Sequence, residues 1–278
     1  MNVEIQIPFN EKTLAASVEV PTQWTNGPKT CVILTHGAGG DKDFYQLKIL
    51  SNKLMDSGVM CVRFTCKGLN IKYRTKVYVE VVRYVFEEYT YLDGFILGGR
   101  SMGSRSAVAA ATCILSSQNN TKLSPKPSKD KKLVSRKRKL TCVECGAVHP
   151  NNNCKVIGVL CLAFPLSPKG KPDRTDSLLQ SPGIPHLFVS GTEDEMCDLK
   201  LLLETIEKMN KADLKEMPKL SIDSAYLSFA DPLFPHTLLQ INNAKHSFKI
   251  KGISEQEVME HINEVVSKWI PVCQSMLQ

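Results

Sequence analysis

Residues 93–115 read DGFILGGRSMGSRSAVAAATCIL, and how that run divides decides the architecture. Phe95, Ile96 and Leu97 form a short apolar block of the kind buried inside a sheet, whereas from Gly103 onward small and apolar residues recur with helical period. A strand therefore passes into a helix through Gly99-Arg100-Ser101-Met102-Gly103, a G-x-S-x-G pattern. Such a turn holds its serine in a strained backbone conformation, and glycine on both sides removes Cβ atoms that would collide. The pattern alone arises by chance in a chain of this length about one time in ten. Its place between a strand and a helix is what makes Ser101 the candidate nucleophile.

Working outward, strand-like and helix-like stretches alternate. Residues 2–8 and 13–20 alternate apolar and polar and are joined by FNEK, which predicts an antiparallel hairpin. TCVILTHG (30–37), VMCVRFT (59–65), KVIGVLCLAF (155–164), HLFVSG (186–191) and HTLLQIN (236–242) read as buried strands. Between them lie helices over 43–57, over the run marked by Val77, Val81 and Val85, and over LKLLLETIEKMN. A last helix opens on a capping box, Ser254 with Glu257, and its stripe of Val258, Ile262, Val265 and Trp269 faces the core. The expectation is an α/β fold of the α/β-hydrolase kind: a mostly parallel twisted sheet, helices on both faces, an antiparallel N-terminal hairpin and no large cap domain. In such sheets chemistry collects in the loops at the carboxyl ends of the strands.

With 278 residues, 42% of them apolar, the chain suits a single domain, residues 1–278. Two stretches break its rhythm. Residues 116–154, polar and rich in Ser, Asn, Lys and Arg, read as an inserted flexible loop; residues 213–235, richer in Leu, Ile, Tyr and Phe, read as a second, docked one. The net charge of +7 is local: nine Lys/Arg and one Asp fall between Lys122 and Lys139, and the remainder sums to −1. That basic segment, 122–139, is a candidate contact for nucleic acid or an acidic partner, and Arg136-Lys137-Arg138-Lys139 a candidate nuclear address, although no aromatics are interleaved to stack bases. Neither a membrane span nor a secretory leader is evident, so a soluble, cytoplasmic protein is expected. Cys142, Cys145, His149 and Cys154 nearly reproduce a zinc knuckle, one residue short before the histidine; the alternative is a thiol-bearing linker. No cofactor is expected.

A serine hydroxyl needs a base, and the base an orienting group. Of six histidines, His246 follows the last strand at the carboxyl edge. His36 precedes a glycine-rich loop, His149 and His236 belong to or border the insertions, His186 begins a strand, and His261 flanks a helical stripe. Asp194 in SGTEDEM is the favoured acid, with Glu193 and Glu195 open as neighbours. Donors for an oxyanion would be the N–H of Met102 and, from HGAGG, that of Ala38. The order Ser101, Asp194, His246 is the α/β-hydrolase order. Lys67, Arg100 and Lys245 near the expected mouth suggest an anionic substrate.

ILTHGAGG, RFTCKGLN, LGGRSMGSR, VSGTEDEMC and NAKHSF together resemble the testis-expressed α/β-hydrolase-like proteins. These are grouped with a non-specific-lethal chromatin-complex subunit and with bacterial dienelactone-hydrolase-type proteins. The resemblance spans nearly the whole chain apart from the two insertions and puts Ser101, Asp194 and His246 at the triad positions. With those residues in those roles, the expectation is a serine hydrolase acting on a small ester or thioester. The chromatin-complex relative implies the alternative, a catalytically silent interaction or scaffold protein.

Overall fold

The computed structural model describes residues 1–122, 146, 150, 153–181, 183–212, 224–229 and 235–277. Among the described residues nine strands form one sheet: β1 (Asn2–Phe9), β2 (Lys12–Glu19), β3 (Thr30–Thr35), β4 (Met60–Phe64), β5 (Gly94–Arg100), β6 (Val156–Leu162), β7 (His186–Gly191), β8 (Leu227–Phe229) and β9 (His236–Ile241). Their order across the sheet is β1-β2-β4-β3-β5-β6-β7-β9-β8. The hairpin β1–β2 pairs antiparallel and joins the sheet antiparallel at β4; β4, β3, β5, β6, β7 and β9 run parallel, and β8 closes the far edge antiparallel.

Side chains of successive strand residues point to opposite faces, and the core divides accordingly. Cys31 and Ile33, Phe95 and Leu97, Val159 and Cys161 pack on one face with helices α2 (Ile71–Glu88), α3 (Met102–Lys122) and α5 (Leu199–Ala212). Val32 and Leu34, Ile96, Leu160 and Leu162 pack on the other with α1 (Tyr45–Asp56) and α6 (Glu255–Gln274). Both faces of the sheet are thus covered, as the unbroken apolar strands require. Local signals set the helix starts: Asn70 accepts the Tyr73 N–H at α2, and Ser254 Oγ accepts the Glu257 N–H at 3.1 Å at α6. The expected stripe of α6 is buried along its length. A buried ion pair, Arg63 Nη2 to Glu19 Oε1 at 2.5 Å, ties β4 to β2, and Arg63 also reaches Asp43 Oδ1 at 3.2 Å in the loop before α1.

Three features depart from the sequence reading. Helix α3 continues to Lys122, into the stretch read as starting an insertion at 116; its later turns lack an apolar stripe, yet Gln118 Nε2 donates to Cys154 O at 2.7 Å, fastening them to the approach to β6. The short helix α4 (Thr175–Leu179) was not anticipated, being too brief to show a period. Strand β8 lies within 213–235, where a docked loop was expected. The basic run beyond Lys122 and three of the four knuckle residues, Cys142, Cys145 and His149, fall outside the described residues; Cys154 is buried in the core, which pushes its thiol up to about 12. Among the described residues no helix is long and apolar enough to cross a membrane.

Candidate active site

Ser101 sits between β5 and α3 with φ at +53°, a left-handed conformation that costs a non-glycine residue energy and persists only where its surroundings enforce it. Those surroundings are explicit. The Ser101 N–H donates to Leu162 O at 2.8 Å, at the end of β6, and the first turn of α3 presses on β3. A Cβ on Gly99 would come within 2.6 Å of Thr35 O and of the Gly103 carbonyl carbon, and one on Gly103 would overlap Thr35 O. Both glycines are therefore required by close approach of backbones.

The loop after β7 carries Asp194 and the loop after β9 carries His246. They meet because Gly191 has no side chain: a Cβ there would overlap Ala244 O, the carbonyl that accepts the Glu193 N–H at 2.9 Å. Asp194 is buried, its Oδ1 accepts the Met196 N–H at 2.8 Å, and Glu193 and Glu195 are exposed. His246 Nδ1 lies 3.0 and 2.9 Å from the two Asp194 oxygens, and His246 Nε2 lies 2.9 Å from Ser101 Oγ. A carboxylate only accepts, so the proton belongs on Nδ1, which leaves Nε2 to accept from the serine hydroxyl.

The other histidines are placed elsewhere. His36 is buried beneath the glycine loop, with Nδ1 donating to Gly39 O at 3.2 Å and Nε2 accepting the Cys66 N–H at 3.0 Å. Burial, then the nearby Arg74 cation, holds its pKa below the ordinary value, which suits this neutral bridging form. His261 meets the Tyr226 hydroxyl at 2.7 Å, and His186 and His236 lie together at the opposite edge of the sheet. His149 is outside the described residues.

The glycine loop passes directly against the serine: a Cβ on Gly37 would stand 3.4 Å from Ser101 Cβ. Ala38 is exposed on that loop, and Met102, as first residue of α3, has an amide with no intrahelical acceptor. Arg74 of α2, buried, braces the loop by donating to Gly37 O at 3.0 Å, Gly68 O at 3.2 Å and His36 O at 2.5 Å.

Arg100, at the x of the motif, reaches across to the histidine. Its Nε donates to Gln46 Oε1 at 2.8 Å, its Nη2 to His246 O at 3.0 Å, and its guanidinium lies 5.0 Å from the Phe44 ring centre. Gln46 in turn donates to Ser247 O at 2.8 Å and to Glu255 Oε1 at 3.0 Å. Arg100 and Gln46 thereby clamp the loop that presents His246. Sequence reasoning took Arg100 for a charge at the mouth and missed Gln46, Arg74 and Gly191, whose partners are distant in the chain. Lys67 and Lys245 are exposed. A serine, a base and a buried acid so aligned can generate an alkoxide-like nucleophile and return its proton.

A family model described as an alpha/beta hydrolase domain matches residues 142–218. Among solved structures, dienelactone hydrolase from Anabaena variabilis superposes with a TM-score of 0.60 at 13% identity, over 98% of this chain and 97% of that one. Thermogutta terrifontis esterase 2, phosphoramylated by tabun, gives 0.63 at 11%, over 97% and 94%. A Xanthomonas campestris protein described as an α/β serine hydrolase without lid gives 0.58 at 14%, over 97% and 94%. At these identities the likeness is one of fold. From strand order, elbow and neighbours together, the chain has the α/β-hydrolase fold, with hydrolases among its structural relatives.

Proposed function

We propose that this chain is a serine hydrolase acting on a small ester or thioester, with Ser101, His246 and Asp194 as its triad. Ser101 Oγ attacks the carbonyl carbon as its proton passes to His246 Nε2, and Asp194 holds the imidazole and stabilises its protonated form. The amides of Met102 and Ala38 receive the oxyanion. His246 then protonates the leaving alcohol or thiol; water, deprotonated by the same ring, attacks the acyl carbonyl, and the bond to Ser101 Oγ breaks as the ring returns the proton to it, freeing the acid. The observation that carries this reading is His246, within 3.0 Å of the Asp194 carboxylate on one ring nitrogen and 2.9 Å from Ser101 Oγ on the other.

The resemblance to the testis-expressed α/β-hydrolase-like proteins fits this reading. So does the structurally similar Thermogutta esterase, which tabun modifies. The test is a fluorophosphonate probe on folded protein. Labelling at Ser101, abolished in Ser101→Ala, is the expected result. Folded wild-type protein that stays unlabelled and hydrolyses no activated ester removes the enzymatic reading and leaves the interaction-protein alternative.

A further inference from the structure

We propose that Arg105 and Arg174 form an anion subsite beside Ser101, so that the substrate is an ester or thioester carrying a carboxylate or phosphate group. This rests on the hydrolase reading for its substrate, though the site is defined by its own geometry. Arg105 lies one helical turn past Ser101: its N–H donates to Ser101 O at 3.3 Å, and its Nη1 turns back to within 3.3 Å of Met102 Sδ. A thioether is a weak acceptor, so the other guanidinium donors keep their capacity for an anion. Arg174, the residue before α4, donates from its backbone to Leu166 O at 3.0 Å and from Nη1 to Pro165 O. Pro165 and Leu166 lie just past β6, the strand whose Leu162 O accepts the Ser101 N–H. Both arginines therefore stand on the α3–β6 flank of the elbow.

The charges there differ from the other internal cations in their acceptors: among the described residues the Arg105 guanidinium meets only the Met102 thioether and that of Arg174 only Pro165 O, whereas Arg100 has both Gln46 Oε1 and His246 O. Arg63 has Glu19 and Asp43, Arg83 has Glu80 and Glu87, and Arg74 is enclosed by three backbone carbonyls. Among the described residues neither Arg105 nor Arg174 forms an ion pair with a carboxylate, though both are partly buried. Burial, then repulsion from Arg174, pulls Arg105 down to about 10, so it remains cationic at neutral pH. Two partly desolvated cations on one flank of the elbow without a carboxylate partner are costly, and an anion held between them relieves both desolvation and repulsion. Guanidinium forks suit the paired oxygens of a carboxylate or phosphate.

Room for the rest of such a molecule lies alongside. A groove of about 370 Å³ runs between α2, α3 and α4, lined among others by Lys72, Thr75, Ala109, Thr112, Ser177 and Gln180. Ala109 is one turn along α3 from Arg105, which puts Arg105 between the groove and Ser101, and Ser177 is one turn along from Arg174.

Two measurements test this. The first compares kcat/KM for mono-4-nitrophenyl glutarate with that for neutral 4-nitrophenyl butyrate. Arg105→Gln and Arg174→Gln are expected to lower the anionic-to-neutral ratio by about tenfold or more, chiefly through KM. Arg105→Lys, which keeps the charge and the aliphatic stem, is expected to lose less. A ratio unchanged in both glutamine variants overturns the subsite, and because it is a ratio, general loss of active protein does not mimic the effect. The second titrates Ser101→Ala protein with glutarate and with inorganic phosphate by calorimetry. Saturable binding that Arg174→Gln abolishes is expected, and the tighter ligand assigns the group as carboxylate or phosphate. Binding of neither, or binding that survives both substitutions, overturns the proposal. Arginine-dependent binding in a protein that no fluorophosphonate labels would leave the subsite standing and remove the hydrolase.

Discussion

The two edges of the sheet each hold a histidine hydrogen-bonded to a serine, and they have different chemistry. At the carboxyl edge His246 Nε2 lies 2.9 Å from Ser101 Oγ; at the amino edge His186 Nε2 lies 2.9 Å from Ser181 Oγ. The distance is the same. The other ring nitrogen differs: His246 Nδ1 faces the Asp194 carboxylate, whereas His186 Nδ1 faces Ile184 O at 2.8 Å and His236 Nδ1 at 3.1 Å. Surroundings differ as well. His186 and His236 are fully buried, and burial pulls His236 down to about 4; the His246 side chain keeps 13% of its surface open. A carboxylate can stabilise a ring that gains a proton, whereas burial in a dry core favours the neutral ring, the direction His236 takes. A serine–histidine contact is therefore weak evidence of catalysis until the far side of the ring is known.

The comparison breaks most sharply at the acid. Asp194→Asn is expected to lower kcat/KM for 4-nitrophenyl acetate by about 10⁴-fold, because the imidazole loses its tautomer and its charge partner. His186→Gln, on the other edge, is expected to leave turnover within about twofold while lowering the urea midpoint through a lost buried hydrogen bond. Comparable losses of turnover in the two variants would mean that the edges are not chemically distinct.

The next effect concerns stability. His236 titrates near 6.5 when unfolded and near 4 when folded, so as pH falls below 6.5 the unfolded chain binds the extra proton and stability declines until about pH 4. The full loss is about 3 kcal/mol by the linkage relation. Urea midpoints from pH 7 to pH 4 check this: His236→Gln is expected to flatten that limb, and an unchanged slope would show that another group governs it.

The smallest expected effect is at the clamp. Arg100→Met keeps the triad residues but releases His246 O and Gln46, and a base held less firmly is expected to cost about tenfold in kcat with KM little changed. Arg100→Lys is expected to recover little, since a single ammonium does not reproduce the two-pronged contact. Equal effects on kcat and KM would point to a general disturbance of the loop.

Strand and helix content was legible because burial imposes a period on residues adjacent in the chain. The unbroken run that buries Val32 and Leu34 in one core and Cys31 and Ile33 in the other is written in six consecutive positions. The elbow was legible for the same reason, since Gly99, Ser101 and Gly103 are local. Helix α4 and strand β8 were not, because one turn and three residues are shorter than the periods that would reveal them.

The site divides along the same line. Residue types, motif and chain order were enough to name Ser101, Asp194 and His246 as candidates, with Glu193 and Glu195 left beside Asp194. Folding is what separates the three acids, burying one against His246 and exposing the other two. Arg100 was visible as a letter but not as a clamp, since its partners Gln46 and His246 stand 54 and 146 positions away. Likewise, nothing in the chain announces that Arg105 on α3 and Arg174 before α4 come to stand on one flank of the elbow. Strand order creates those contacts: placing β5 between β3 and β6 gathers loops that the chain keeps far apart. A linear pattern reports what neighbours along the backbone share, and charge pairing across a sheet edge is a property of the fold.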